Sequence, residues 1–235
     1  MNVMPDINKI FLQSIPSTNT YAKENAFDLP MPSLIIADEQ TAGRGRQGKK
    51  FFSPKDSGLY MTLVFPAPHN CELLTPAAAI AVCKALEKLG AKPEIKWVND
   101  IFIDGLKVCG ILTECFNCKE NTYIALGVGI NLTTSNFPDE LFYIAGSVNT
   151  DCSKTVLAEE ITNSILEYVY NQDNTDILCE YEKRLFIIGK KISYQKNNKV
   201  FSAEVKGINK NCNLIVIKDD GQKEILSSGE ISIKL

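Results

Sequence analysis

The sequence contains a single histidine, His69, which follows Pro68 and precedes Asn70 in what reads as a loop. One imidazole rules out histidine-rich metal sites and leaves little room for Ser-His or Cys-His catalysis. No run approaches the roughly 18–20 apolar residues that a membrane helix needs. The first twenty residues contain Asp6 and Lys9 but no apolar stretch of the signal-peptide kind. Positive charge is not in excess either, because 25 basic and 28 acidic side chains give a net charge of −3. A protein whose main work is gripping nucleic-acid phosphates is normally basic, so any basic cluster here must act locally. The chain is expected to stay in its compartment of synthesis, the cytoplasm, with its eight cysteines reduced and mostly filling the core. Cys115 and Cys118 form a C-x-x-C, but no second pair completes a zinc site.

What is present is the composition of a globular protein: 45% hydrophobic and 23% charged residues over 235 positions, enough for one or two domains. Thr75-Pro76 reads as an N-cap and first helical position of a helix over 77–89, stopped by Gly90, with Ile80, Cys83, Leu86 and Leu89 on one face. Ser153 opens a second helix to about residue 170, with Leu157, Ile161, Ile165 and Val169 at four-residue spacing. Shorter helices fit 19–26 and 176–185. Strand-like runs cover 34–37, 59–65, 101–103, 106–112 and 123–132. Asp104-Gly105 between two of them is a hairpin signal, so part of the sheet is antiparallel and the class is α+β with a mixed sheet. Beyond Gly189 short strands at 191–194, 200–205, 214–217, 224–226 and 231–233 alternate with turns at Asn197-Asn198 and Asp219-Asp220-Gly221. The expected division is therefore a domain over 1–187 and a small all-β barrel over 188–235. A piece that short is marginal alone and is expected to pack against the first domain.

The segment from Gln40 to Lys50 concentrates the chemistry. Gly43, Gly45 and Gly48 give backbone freedom and exposed N–H groups, and Arg44, Arg46, Lys49 and Lys50 place positive charge beside them. This suits a loop that wraps an anion with backbone amides and guanidinium groups. The spacings of a Walker A loop and of a dinucleotide fingerprint both fail. A solvated basic loop and an RNA-contacting segment remain open from these residues alone. Further on, Lys96-Trp97-Val98-Asn99-Asp100 leads into the hairpin and then Lys107. Strand alternation puts Lys107 on one face with Cys109 and Ile111, and Val108 with Gly110 on the other. Lys107 is either an edge-strand lysine reaching water or one directed at a negative ligand. Gly110, Gly127 and Gly129 within strands signal close approach of a ligand or another backbone. Asn131 ends its apolar run as a polar side chain, either functional or turn-forming.

Ser17-Thr18-Asn19, Gln40 through Gly48, Ser53-Pro54, Lys96 through Asp100, Lys107-x-x-Gly110-Ile111-Leu112-x-Glu114 and Gly127-x-Gly129-Ile130-Asn131 occur in the order seen in biotin–protein ligases, which the chain resembles over nearly its whole length. The tail through Gly229-Glu230-Ile231-Ser232 resembles that family's C-terminal SH3-like barrel. Phe51 stands where the family commonly has tryptophan, and Val98 where it has proline. The resemblance implies a class II synthetase-like catalytic domain that activates biotin with ATP as biotinyl-5′-AMP and transfers it to a lysine of a biotin carboxyl carrier protein or domain. It implies Mg²⁺ on the phosphates, with direct contact left open between Asp100 and Asn99. Lys107 and Arg46 are the implied catalytic pair. Ser17, Thr18, Asn19, Gln40, Arg44, Gly45 and Gly110 join them on the biotin side. Gly43, Arg46, Lys96, Asn99, Asp100, Gly127, Gly129 and Asn131 fall on the ATP or adenylate side, with Gly127 and Gly129 leaving room for it. Only 16 residues precede Ser17, too few for the N-terminal DNA-binding domain of some relatives, so no DNA binding is expected. A homodimer stays open. A lipoate–protein ligase, or an RNA-binding protein using the basic loop, are the competing readings.

Overall fold

In the computed structural model, which describes residues 5–171, 175–197, 199–229 and 231–233, Asp104 and Gly105 both adopt left-handed backbone, with φ of 50° and 79°. Two consecutive positive φ values make the tight turn whose twist matches that of paired strands. They join β5 (Asp100–Ile103) to β6 (Leu106–Cys118) as the sequence predicts. The remaining strands of the first sheet are β1 (Asn8–Ile15), β2 (Ser33–Gln40), β3 (Gly58–Pro66), β4 (Glu94–Lys96) and β7 (Asn121–Asn131). Their order is β1-β2-β3-β7-β6-β5-β4, parallel only between β1 and β2. The sheet is thus mixed and largely antiparallel, as expected. β1 and β4 carry no sequence expectation. β1 is a half-exposed edge strand and β4 has three residues, both too weakly patterned to stand out.

One helix packs on one face of this sheet and two on the other. α1 (Thr18–Asn25) covers Ile35 and Val64 with Ala22. α2 (Leu74–Lys88) and α3 (Lys154–Asn171) cover the opposite face, where Leu34, Ile36, Leu59, Met61 and Leu63 alternate with the other set. α3 buries Leu157, Ile161, Ile165 and Val169 as its spacing predicts, each worth about 1.5–3 kcal/mol. The start of α2 differs from expectation. Its N-cap is Leu73, not Thr75, whose hydroxyl instead meets that of Thr113 on β6 at 2.9 Å. Pro76 still lies in the first turn, where its missing N–H costs nothing. Leu89 is the C-cap and is exposed rather than buried.

α4 (Thr175–Arg184) leads into a second sheet of β8 (Lys191–Lys196), β9 (Lys199–Ile208), β10 (Leu214–Lys218), β11 (Lys223–Leu226) and β12 (Ile231–Ile233), all antiparallel in the order β11-β10-β9-β8-β12. Tyr194 on β8 donates its hydroxyl proton to Glu224 on β11 at 2.7 Å, although two strands separate them in the order. Across a flat sheet the gap would be about 14 Å, so the sheet curls as a small barrel does. Asn198 and Glu230, named in the sequence reading, lie outside the described residues. The second sheet packs against the first sheet's elements, the contact expected for so short a piece. Trp97 Nε1 donates to the Cys212 carbonyl at 2.8 Å, and one apolar core runs through both. Among the described residues no helix is long and apolar enough to cross a membrane. All eight cysteines are free thiols, and no three His, Cys, Asp or Glu groups among the described residues gather as a metal cage.

Candidate active site

The basic segment after β2 is a flap with hairpin pairing. Gln40 bridges to Ser53 and Arg44 to Lys50, while Gly45 N–H donates to the Lys49 carbonyl at 2.7 Å and Phe51 N–H to Gly43 at 2.9 Å. Gln47 and Gly48, with φ of 54° and 76°, turn the tip. Gly43 is required by contact. A Cβ there would stand 2.4 Å from the Phe51 carbonyl oxygen. Arg44 and Arg46 on this flap face a cleft of about 460 Å³.

The cleft floor begins at the N-terminus of α1. Ser17 caps the helix by accepting from Thr20 N–H at 3.4 Å. Thr18 donates both its N–H (2.9 Å) and its hydroxyl (3.1 Å) to Gln40 Oε1, and Gln40 Nε2 donates to Ser53 Oγ at 3.0 Å. Asn19 Nδ2 donates to Leu112 O and to the Glu114 carboxylate, and its Oδ1 lies 2.6 Å from the Thr62 hydroxyl. A turn, a helix start and a strand end are thereby locked into one polar wall. Burial raises the Glu114 pKa, but hydrogen bonds from Lys23 and Asn19, with the charges of Lys23 and Arg44, outweigh that and hold it below the ordinary carboxylate value.

Lys107 reaches the cleft by a route that alternation does not predict. Pairing of β5 with β6 runs Asp100 to Gly110 and Ile101 to Cys109, then Phe102 to Lys107, leaving Val108 as an extra residue. Such a bulge reverses the alternation beyond it. Lys107 therefore falls on the side of Gly110, with its Nζ 3.4 Å from where a Gly110 Cβ would stand, while Val108, Cys109 and Ile111 are all buried in the core. The expected grouping of Lys107 with Cys109 and Ile111 is thus wrong, and a bulged ladder is the cause. Lys107 Nζ pairs with Asp100 Oδ1 at 2.7 Å. Arg46 donates to Asn99 Oδ1 at 3.3 Å, and Asn99 Nδ2 to the Ile111 carbonyl at 2.7 Å. Cys109 is no nucleophile, since complete burial pushes its thiol pKa far up.

Among the residues singled out from sequence, the cleft brings together Ser17, Thr18, Asn19, Gln40, Arg44, Gly45 and Arg46 from the first half. It adds Lys96, Asn99, Asp100, Lys107, Gly110, Gly127 and Gly129 from the second. Gly43 and Asn131 are not on its wall. Gly43 packs inside the base of the flap. Asn131 is 4% exposed, donates from Nδ2 to the Gly146 carbonyl at 3.0 Å and keeps a buried Oδ1 without a partner. The room expected beside Gly127 and Gly129 is taken by protein. A Cβ at Gly127 would stand 2.2 Å from Asn19 Oδ1, and one at Gly129 would stand 2.6 Å from the Phe51 ring.

Sequence reasoning missed three contributors. Phe51 lies over Gly129 and Gly110 and closes part of the floor. Residues 141 and 143–145 form a wall hydrogen-bonded to Lys107 through Ile144 O and Gly146 N, both at 2.9 Å. Gly229, Ile231 and Ser232 bring the second sheet to the rim. Phe51 and the tail over 229–232 sat at positions the resemblance had marked without being placed at the site, whereas the wall over 141–145 carried no signal.

The chain matches the family model described as the biotin/lipoate A/B protein ligase family over residues 11–131, and that of the biotin protein ligase C terminal domain over 187–234. It is 31% identical over 236 residues to the bifunctional ligase/repressor BirA of Bacillus spizizenii, covering 93% of this chain and 72% of that one. It is 35% identical over 124 residues to the biotin–[acetyl-CoA-carboxylase] ligase of Paracoccus denitrificans, covering 49% of this chain and 51% of that one. In fold it is similar to the biotin protein ligase from Aquifex aeolicus solved with biotin and ATP, at a TM-score of 0.81, 23% identity and coverage of 97% and 98%.

Proposed function

Because the chain belongs to the biotin/lipoate A/B protein ligase family, we propose that its cleft activates biotin with ATP and passes the biotinyl group to a lysine of a carrier protein. It is a biotin–protein ligase. The carrying observation is the charge of the cleft. Arg44, Arg46, Lys49, Lys50, Lys96 and Lys107 line it, and among the described residues Asp100 is the one carboxylate on its wall. Two anions, a carboxylate and a triphosphate, must meet for the first step, and a fixed array of cations offsets their repulsion with no reorganisation during reaction.

In that step a biotin carboxylate oxygen attacks the α-phosphorus, an O–P bond forms, and pyrophosphate leaves with its bonding pair. Lys107, held by Asp100 and aimed by the bulge at Val108, is placed to balance the charge that develops between the two reactants. The polar wall of Thr18, Asn19 and Gln40 supplies fixed groups for the ureido head, with Ser17 setting the helix start. In the second step a lysine amine of the carrier attacks the carbonyl of the mixed anhydride, a C–N bond forms, AMP leaves and the amine proton passes to solvent. Between the steps the flap excludes water. Asn131 is assigned to the adenylate side because its buried Oδ1 has no partner and is an acceptor suited to the adenine amino group.

Mg²⁺ fits this donor set only as a passenger of the nucleotide, which needs few protein oxygens. Asp100 and Asn99 would face it, and it would neutralise charge on the departing pyrophosphate. We assign the acceptor to a biotin carboxyl carrier protein or domain, and the compartment to the cytoplasm, which eight free thiols support. The test is pyrophosphate release from ATP with biotin, with lipoate and with neither. Release with biotin alone is expected. Release with lipoate alone favours the sister chemistry. Silence in all three, with salt-sensitive polynucleotide binding, favours an RNA-binding protein.

A further inference from the structure

Glu114 lies outside the cleft wall, yet the flap and the pocket both converge on it. It stands on β6 and its side chain is 21% exposed. Its Oε1 is 2.8 Å from Lys23 Nζ and 3.4 Å from Arg44 Nη2, and its Oε2 accepts from Asn19 Nδ2 at 2.9 Å. The three donors come from the first turn of α1, the last turn of α1 and the flap. Both amide N–H donors of Asn19 are committed, while its oxygen keeps an acceptor site for the pocket. Its amide nitrogen also donates to Leu112 O, and its oxygen faces Thr62. The carboxylate therefore fixes the orientation of Asn19 and, through the same group, holds the flap down by Arg44.

We propose that Glu114 is a positioning residue that latches the glycine–arginine flap over the biotin pocket, so that closing the flap and ordering Asn19 become one event. The proposal rests on the biotin-ligase reading. Glu114 touches no reacting atom, so its effect falls on retention of biotin and its adenylate and not on phosphoryl chemistry. The Arg44 side chain is 46% exposed, which makes the ion pair a modest one. A partly open flap lets the adenylate escape and acylate any nearby lysine.

Glu114→Gln keeps the size of the side chain and an acceptor for Asn19 while removing the charge. The measurements are the kcat and biotin KM of pyrophosphate release, and biotin incorporated into a bystander protein with no acceptor domain. In Glu114→Gln, biotin KM and bystander labelling are each expected to rise about two- to fivefold, with kcat within about twofold of the parent. In an Arg44→Ala background the same change is expected to add nothing, because the flap partner is already gone. Lys23→Ala, which leaves the carboxylate to Arg44, should not raise labelling. A fallen kcat with unchanged KM, unchanged labelling, or effects that add in the Arg44→Ala background would overturn the latch. If Glu114→Gln does not fold, Arg44→Gln carries the test, and unchanged labelling there overturns it. A parent enzyme silent with biotin overturns the ligase reading itself, whereas an active parent with an indistinguishable Glu114→Gln variant overturns the latch alone.

Discussion

Lys107 is one-third exposed, paired with Asp100 and set against a glycine that leaves its stem uncrowded. A side chain so placed contributes little to folding, and its partner keeps access to water. Lys107→Ala is therefore expected to lower the rate of biotin-dependent pyrophosphate release by about 10²–10³-fold, the usual loss of one preorganised electrostatic contact. The thermal midpoint should shift by no more than about 2 °C, since surface changes stay near ±0.5 kcal/mol. Calorimetry and the pyrophosphate assay on one preparation decide it. A variant that keeps full activity removes Lys107 from the chemistry.

Among the elements, Glu224 is where side chains of β8, β10 and β11 of the curled second sheet meet. Hydrogen bonds from Lys196 and Tyr194, with Lys218 at 3.1 Å, hold the Glu224 carboxyl down at about 2. An unfolded glutamate titrates near pH ~4.3. The folded value is the lower one, so this carboxylate contributes its full stability above about pH 4.3 and loses it as pH falls toward 2. Urea unfolding at pH 6 and at pH 3 should thus show a larger drop for the parent than for Glu224→Gln. Equal drops would mean that the cluster contributes nothing to acid sensitivity. The β5–β6 hairpin makes a different point at this scale. Its turn residues set where the chain reverses, and its bulge sets which way Lys107 faces.

For the molecule as a whole, the question is whether the two sheets behave as one cooperative unit. Their shared core and the bond from Trp97 to Cys212 argue that they do. Trp97 is the sole tryptophan and is 4% exposed where the junction meets the cleft, so its emission reports on that region. In a urea titration its fluorescence and the far-UV circular dichroism are expected to follow a single coincident transition. An earlier fluorescence transition would show the second sheet detaching before the first unfolds. Because Gly229, Ile231 and Ser232 reach the cleft rim, such detachment would also open the site.

What the sequence determined by itself was set by short-range physics. Asp104-Gly105 specified a turn, the four-residue spacing from Leu157 to Val169 specified a buried helix face, and the ordered motifs from Ser17 to Asn131 specified the family. These depend on neighbours a few positions away or on matching residues in order. The tertiary structure decided what depends on strands paired across the sheet. It bulged the ladder at Val108 and so turned Lys107 toward Gly110. It filled the space at Gly127 and Gly129 with Asn19 and Phe51, left Asn131 behind the wall, and brought the second sheet to the rim. A period of two along one strand carries no information about an extra residue relative to its partner, and no local pattern states which distant segment will fill the gap a glycine leaves.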